Sequence, residues 1–196
     1  MQMSTHAAVG ACVGLALTMN QPAEYAIIGG TLAMIGGIIS DIDVGETGKK
    51  TTPIIIGGLS LGLLAILFIV GVGVFPGIIE LWKTTSGLLR TMVGSTLFFV
   101  TCFWGMGKPH RSFLHSLLGM AILGGAVYLV LPVAAGYFLA GMMSHVILDL
   151  LNYRPVQLFY PMERGVSLRL CYSKSRVSNA ILVGSVVGIA ALLLTR

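Results

Sequence analysis

From Ser112 to Leu148 the chain carries no Asp, Glu, Lys or Arg. At about 1.5 Å per residue, one helix over that stretch would be nearly twice as long as a bilayer's hydrocarbon core is thick. The stretch therefore reads as two helices joined by a tight turn. Pro132 stands where a proline suits the first turn of the second helix. Other charge-free runs cover 7–23, Tyr25–Ser40, Thr51–Ile79, Thr91–Gly107 and Ala180–Thr195. Polar stretches separate them: Asp41–Thr52, Glu80–Arg90, Lys108–Arg111 and Asn152–Asn179. The pattern predicts an all-α, polytopic helical membrane bundle of about seven helices, several of them short, forming a single integral membrane domain over 1–196.

Composition excludes the alternatives. Charged residues are 10% of the chain and hydrophobic ones 56%, whereas an average soluble domain is roughly 25% charged. A soluble fold of this size still exposes about a third of its chain surface, too much for this sequence to keep in water. A soluble enzyme, a disordered chain and a disulfide scaffold are thereby ruled out. The net charge of +5 sits mostly in the polar stretches and forms no basic stripe, so membrane lipids rather than nucleic acid are the expected partners. Cys12, Cys102 and Cys171 are far apart and read as free thiols. No basic region precedes the first apolar run and His6 interrupts it, so no cleaved signal peptide is expected. Many of the 26 glycines lie inside the runs, where small residues let helices approach closely in lipid.

The chemistry-bearing residues are few and grouped. All four histidines and all three aspartates fall in four places: His6; Asp41 with Asp43; His110 with His115; His145 with Asp149. In the seven-helix reading every place lies at the N-terminal side of the bundle. That side also holds Lys49, Lys50, Lys108, Arg111, Arg154, Arg164, Arg169, Lys174 and Arg176, against Lys83, Arg90 and Arg196 on the other. The positive-inside rule makes it cytoplasmic.

His145 and Asp149 are four residues apart, so a helix places them on one face, one turn apart. An imidazole beside a carboxylate suits zinc or another divalent first-row ion. The plainer reading is a hydrogen bond between helices. Because an Asp at the bilayer centre costs about 2.5–3.5 kcal/mol on insertion scales, it needs a strong partner. Asp41 and Asp43 alternate; in an extended segment both face one way and can hold one metal or bridge two. Their plainer reading is a solvated turn with two helix-capping acids. His110 and His115 would diverge on one helix, so one of them precedes the helix start, and His115 is the better ligand. His110 and Arg111 can instead meet a substrate anion, since a guanidinium fork matches phosphate oxygens; an interfacial histidine and a topology-setting arginine are the plainer readings. His6, one turn into the first helix, would ordinarily be a hydrogen-bonded histidine, and joins the set by sharing its side. The aromatic stretch Tyr153 to Pro161 suits an interfacial belt, and the basic residues around it suit anionic headgroups or the anionic leaflet.

Ser4-Thr5-His6, Asp41-Ile42-Asp43, His110-Arg111 through His115-Ser116, Ser144-His145 with Asp149, and Leu158-Phe159-Tyr160-Pro161 together resemble the YdjM-like inner-membrane proteins. That bacterial family is described as LexA-regulated, membrane-bound, metal-dependent hydrolases. The resemblance runs from residue 4 to residue 161 and lies in the order and spacing of the pieces. Ser40 departs from the proline the family often has before the first Asp, which affects a turn more than the ligands. The resemblance implies a metal-dependent hydrolase of the bacterial inner membrane with His6, Asp41, Asp43, His115, His145 and Asp149 as its polar set. The implied metal is zinc, with manganese or magnesium as alternatives. A more distant similarity is to zinc-dependent phospholipase C and the related zinc nucleases, which are also helical and pair a His-xxx-Glu or His-xxx-Asp with outlying His and Asp ligands. It implies a phosphoester substrate.

The expected function is hydrolysis, at the cytoplasmic bilayer surface, of a phosphoester in a lipid or lipid-linked substrate. Asp43 or His110 would be the general base or leaving-group acid, and Arg111 would steady the anion. One rival is a divalent metal-ion or proton transporter, which tends to place its ligands near the bilayer midplane. The other is a non-catalytic scaffold whose metal pins helix ends.

Overall fold

The computed structural model describes residues 1–44 and 85–196. The expected helix over Thr51–Ile79, and Lys49, Lys50 and Lys83, lie outside the described residues. Six α-helices are described: α1 (Met3–Leu17), α2 (Ala23–Ile39), α3 (Thr85–Met106), α4 (Leu117–Val130), α5 (Pro132–Leu150) and α6 (Arg176–Leu194). Two short 3-10 turns, Ser40–Asp43 and Phe113–His115, follow α2 and precede α4.

Local chemistry sets the boundaries. At the end of α1 the Thr18 hydroxyl turns back to the carbonyls of Gly14 and Leu15, at 3.2 and 2.9 Å. Pro22 stands at the N-cap of α2. Ser116 caps α4 by accepting from the Gly119 amide at 3.1 Å, and Ser175 caps α6 by accepting from the Ser178 amide at 3.4 Å. The long charge-free stretch is divided where expected, with Pro132 as the first residue of α5.

Among the described residues, four stretches are long and apolar enough to cross a membrane: Ala23–Asp43, Ser86–Met106, Pro132–Leu150 and Arg176–Leu194. Helices α1 and α4 are apolar but shorter. Several boundaries differ from the sequence reading, α1 ending at Leu17 and α4 starting at Leu117 among them. Helix α3 starts at Thr85, so Arg90 belongs to a helix rather than to a polar loop. A single arginine is a good helix former, and its long stem can carry the charge outward. Helix α6 starts at Arg176, within the stretch expected to be loop. The connection before it folds back on α5. Val156 and Val166 exchange backbone bonds of 2.9 and 2.8 Å, and the Leu168 amide reaches the Leu150 carbonyl at 2.7 Å.

Helix α2 lies between α1 and α5, α1 also touches α5, α4 joins α5 to α3, and α6 packs on α1. Helix α2 approaches α5 as closely as it approaches α1, where a Cβ at Gly14 would stand 2.0 Å from the Gly29 carbonyl oxygen. A Cβ at Gly36 would stand 2.1 Å from the Phe138 carbonyl oxygen, and one at Gly141 would stand 2.0 Å from that of Ala33. Only glycine lets the two backbones touch there. The apolar core spreads from Leu32, Ile35 and Ile39 of α2 through Leu123 of α4 to Phe138, Met142 and Val146 of α5.

Candidate metal centre

The helix ends that the core holds together carry the polar residues. His6 lies one turn into α1, Asp41 and Asp43 lie in the turn that ends α2, and His145 and Asp149 lie on the last turns of α5. His110 and Arg111 precede the 3-10 turn that contains His115. Both of those histidines come before α4, with His115 two residues short of its start. His6, His115 and His145 are 0% exposed and Asp149 is 1% exposed. His110 is the open member, its side chain 30% exposed.

Asp41 and Asp43 do not sit in an extended segment as their alternation suggested. Helix α2 tightens into a single 3-10 turn there, pinned by the Ser40 hydroxyl donating to the Leu114 carbonyl at 3.0 Å. The two carboxylates consequently serve opposite sides of one imidazole. Asp41 Oδ1 is 3.6 Å from His115 Nε2, and Asp43 Oδ2 is 3.5 Å from His115 Nδ1.

His145 is oriented by α2. Its Nδ1 lies 2.6 Å from the Gly37 carbonyl oxygen. A carbonyl can only accept, so Nδ1 is the donor and the lone pair of the neutral ring is on Nε2. That nitrogen faces the cluster: His115 Nε2 is 3.1 Å away, Asp41 Oδ1 3.6 Å and Asp149 Oδ2 3.9 Å. Asp149 Oδ2 is also 3.7 Å from His115 Nε2. Five of the distances among these four donor atoms are thus 3.1–3.9 Å. Donors about 2.0–2.1 Å from a tetrahedral ion stand about 3.4 Å apart. The residues therefore fit a divalent ion, and a carbonyl on the outer nitrogen of a ligating histidine is the usual support for one.

Hydrogen bonding inside the protein does not exhaust the cluster. Among the described residues both ring nitrogens of His6, His115 Nδ1 and Asp43 Oδ2 are buried without a hydrogen-bond partner. His6 stacks on His145 with centroids 3.8 Å apart, and its Nε2 is 3.4 Å from Asp149 Oδ1. Buried polar atoms of this kind are costly unless something else binds them. Burial alone would lower the His115 pKa, but the carboxylates of Asp41 and Asp43 raise it to about 9. An imidazole between two carboxylates can take a proton or a metal ion, the two in competition. Three overlapping sets of donors could each hold an ion: His6, His145 and Asp149; Asp41, His115 and His145; Asp43, His110 and His115.

Arg111 is turned inward. Its Nη2 donates to Asp149 Oδ1 at 2.9 Å and its Nη1 to the Arg154 carbonyl at 2.6 Å, leaving Nε without a partner among the described residues. Its backbone has φ 67°, and its own carbonyl accepts from the Gln157 amide at 2.9 Å. The residue thus latches the returning chain to Asp149, whose Oδ1 also accepts from the amino group of Met1 at 2.6 Å. His110 Nδ1 meets Asp43 Oδ1 at 2.7 Å at the mouth of the site. Sequence reasoning missed two supports, the Gly37 carbonyl and the Arg111–Asp149 pair. The Gly36-Gly37 pair one helical turn before Asp41 was the only signal for the first.

A family described as YdjM inner membrane protein matches residues 1–195 of the chain. No curated protein and no solved structure matches it.

Proposed function

The chain belongs to the YdjM inner membrane protein family, and from that premise we propose a membrane-embedded, metal-dependent hydrolase. It works at the cytoplasmic bilayer surface on a phosphoester in a lipid or lipid-linked substrate. The observation that carries this reading is the set of four converging donors, Asp41 Oδ1, His115 Nε2, His145 Nε2 and Asp149 Oδ2. His6 and Asp43 complete the polar set around them.

A divalent ion held there, zinc or else manganese or magnesium, would supply Lewis-acid chemistry and, if zinc, would lower the pKa of its bound water to about 7. The protein's own residues do the rest. The Gly37 carbonyl keeps the His145 lone pair aimed inward. Arg111 holds the Asp149 carboxylate in place and offsets part of its charge. At the mouth, the hydrogen-bonded Asp43–His110 pair takes up and returns protons. The site lies at the helix ends, where headgroups sit, which favours a lipidic phosphoester. That placement also disfavours a transporter, which would gather the same residues nearer the midplane.

The test is turnover of phospholipids and prenyl phosphates by the purified protein in nanodiscs loaded with zinc or manganese. Wild type turns over at least one of them, and the His145→Ala and Asp149→Ala variants do not. Turnover undiminished in both variants refutes the site. Metal binding with a raised melting temperature and no turnover on a broad panel leaves the scaffold reading in its place.

A further inference from the structure

We propose that His115 serves two cation sites, one on each ring nitrogen. The inner site is the four-donor set around Nε2. The outer site is built from His115 Nδ1, Asp43 Oδ2 and the ring of His110. The inference rests on the inner set binding a divalent ion, and adds a second site with a different character.

The outer site stands on two atoms that nothing else in the described residues satisfies. His115 Nδ1 and Asp43 Oδ2 are both buried and without hydrogen-bond partners. They are 3.5 Å apart, longer than the usual 2.7–3.2 Å of an N–H···O bond and close to the spacing of about 3.4 Å between two donors on one tetrahedral ion. The neighbouring Asp43 Oδ1 makes an ordinary short bond to His110 at 2.7 Å, so the long distance is local to this pair of atoms. The His110 ring stands edge-on to that of His115, centroids 5.0 Å apart, and the three residues each present a donor within 4.8 Å of the others.

Openness separates the two sites. Every inner donor belongs to a residue no more than 7% exposed. The outer set has three protein donors, and its third, His110, is 30% exposed. Three protein donors with an open side is the arrangement of catalytic sites. With both ions bound, His115 would give up both ring protons to solvent. The inner ion would then be the enclosed one and the outer ion the more accessible.

Metal stoichiometry decides the matter without an activity assay. Chelator-stripped protein in detergent is reloaded with zinc, freed of excess ion and analysed for zinc per chain by mass spectrometry. Wild type holds two ions, while His110→Ala and Asp43→Asn each hold one and keep the zinc-induced rise in melting temperature. Cobalt titration gives a parallel reading: intense tetrahedral bands with the first equivalent, a further change with the second, and only the first step in His110→Ala. One ion in wild type, unchanged in both variants, overturns the outer site and leaves the hydrolase reading standing. No ion in wild type overturns both.

Discussion

A buried imidazole has two nitrogens, and what each one meets decides its chemistry. At His145 one nitrogen is committed to the Gly37 carbonyl, so the other is a ready lone pair. Removing that lone pair in His145→Ala is expected to weaken zinc binding by at least about 100-fold, beyond the 10–100-fold typical of losing a supporting partner, as read by competition with a chromogenic chelator. Asp149→Ala should do the same and also destabilise the protein by about 3–5 kcal/mol, because Arg111 is left buried with its charge uncompensated. Asp149→Asn separates the two effects: metal binding falls and less of the stability is lost. The raised pKa of His115 gives the pH dependence. In metal-free protein its proton is held in the folded state more tightly than in the unfolded one. That contribution to stability is complete below about pH 6.5, the ordinary histidine value, and is lost as pH rises through about 9. The same proton must leave for a metal to bind, so zinc affinity should rise from pH 7 to 9 with proton release, measurable by calorimetry in buffers of different ionisation enthalpy. The sequence disclosed the His145–Asp149 pair because four-residue spacing is a property of one helix. It could not disclose the Gly37 carbonyl or the turn of Arg111 onto Asp149, which depend on contacts between segments far apart in the chain.

At the scale of elements, the site is set by how closely α2 and α5 approach. Gly36 and Gly141 bring the backbones together, and this brings the Gly37 carbonyl within reach of His145 one turn beyond Gly141. Gly36→Ala or Gly141→Ala puts a methyl group into a backbone carbonyl and should cost about 1–3 kcal/mol or more, as overpacking does, with zinc affinity falling alongside. Gly125→Ala and Gly136→Ala are the controls. Among the described residues nothing lies within 4 Å of a Cβ at either position, so thermal melts should show no loss, or a gain of up to about 1 kcal/mol from helix propensity. The helices themselves were legible because charge is excluded from lipid-facing stretches, and Pro132 marked the break between α4 and α5. The 3-10 turn at Ser40–Asp43 and the bridge between Val156 and Val166 were not legible. The first depends on a bond from Ser40 to Leu114, 74 residues away, and the second on pairing within a loop that has no alternating pattern. The turn changed the role of the two aspartates, from one shared face to the two sides of His115.

For the whole molecule, the question is which side of the membrane the cluster faces. The start of α1, the ends of α2 and α5 and the approach to α4 meet at the site, and the start of α6 joins them through the Thr5–Ser178 hydroxyl pair, 3.3 Å apart. Glu24 and Arg196 belong to the opposite end, where Arg196 bonds to the Thr18 hydroxyl at 2.8 Å. The loop that covers the site end exposes Arg154, Arg164, Arg169 and Lys174 beside Glu163, with Leu168 and Leu170 exposed among them. A surface that mixes cations and large apolar side chains suits the headgroup layer of an anionic leaflet, which by the positive-inside rule we propose to be the cytoplasmic one. Single cysteines test this directly in a Cys12→Ala background, since Cys102 and Cys171 are buried. In intact spheroplasts a membrane-impermeant maleimide should label Glu24→Cys and leave Arg164→Cys unlabelled, and in inverted vesicles the pattern should reverse. The opposite result would turn the site outward, so that its phosphoester would have to come from the outer leaflet or from beyond it. Labelling of both positions from one side would contradict the single-ended gathering of helix ends on which the metal centre depends.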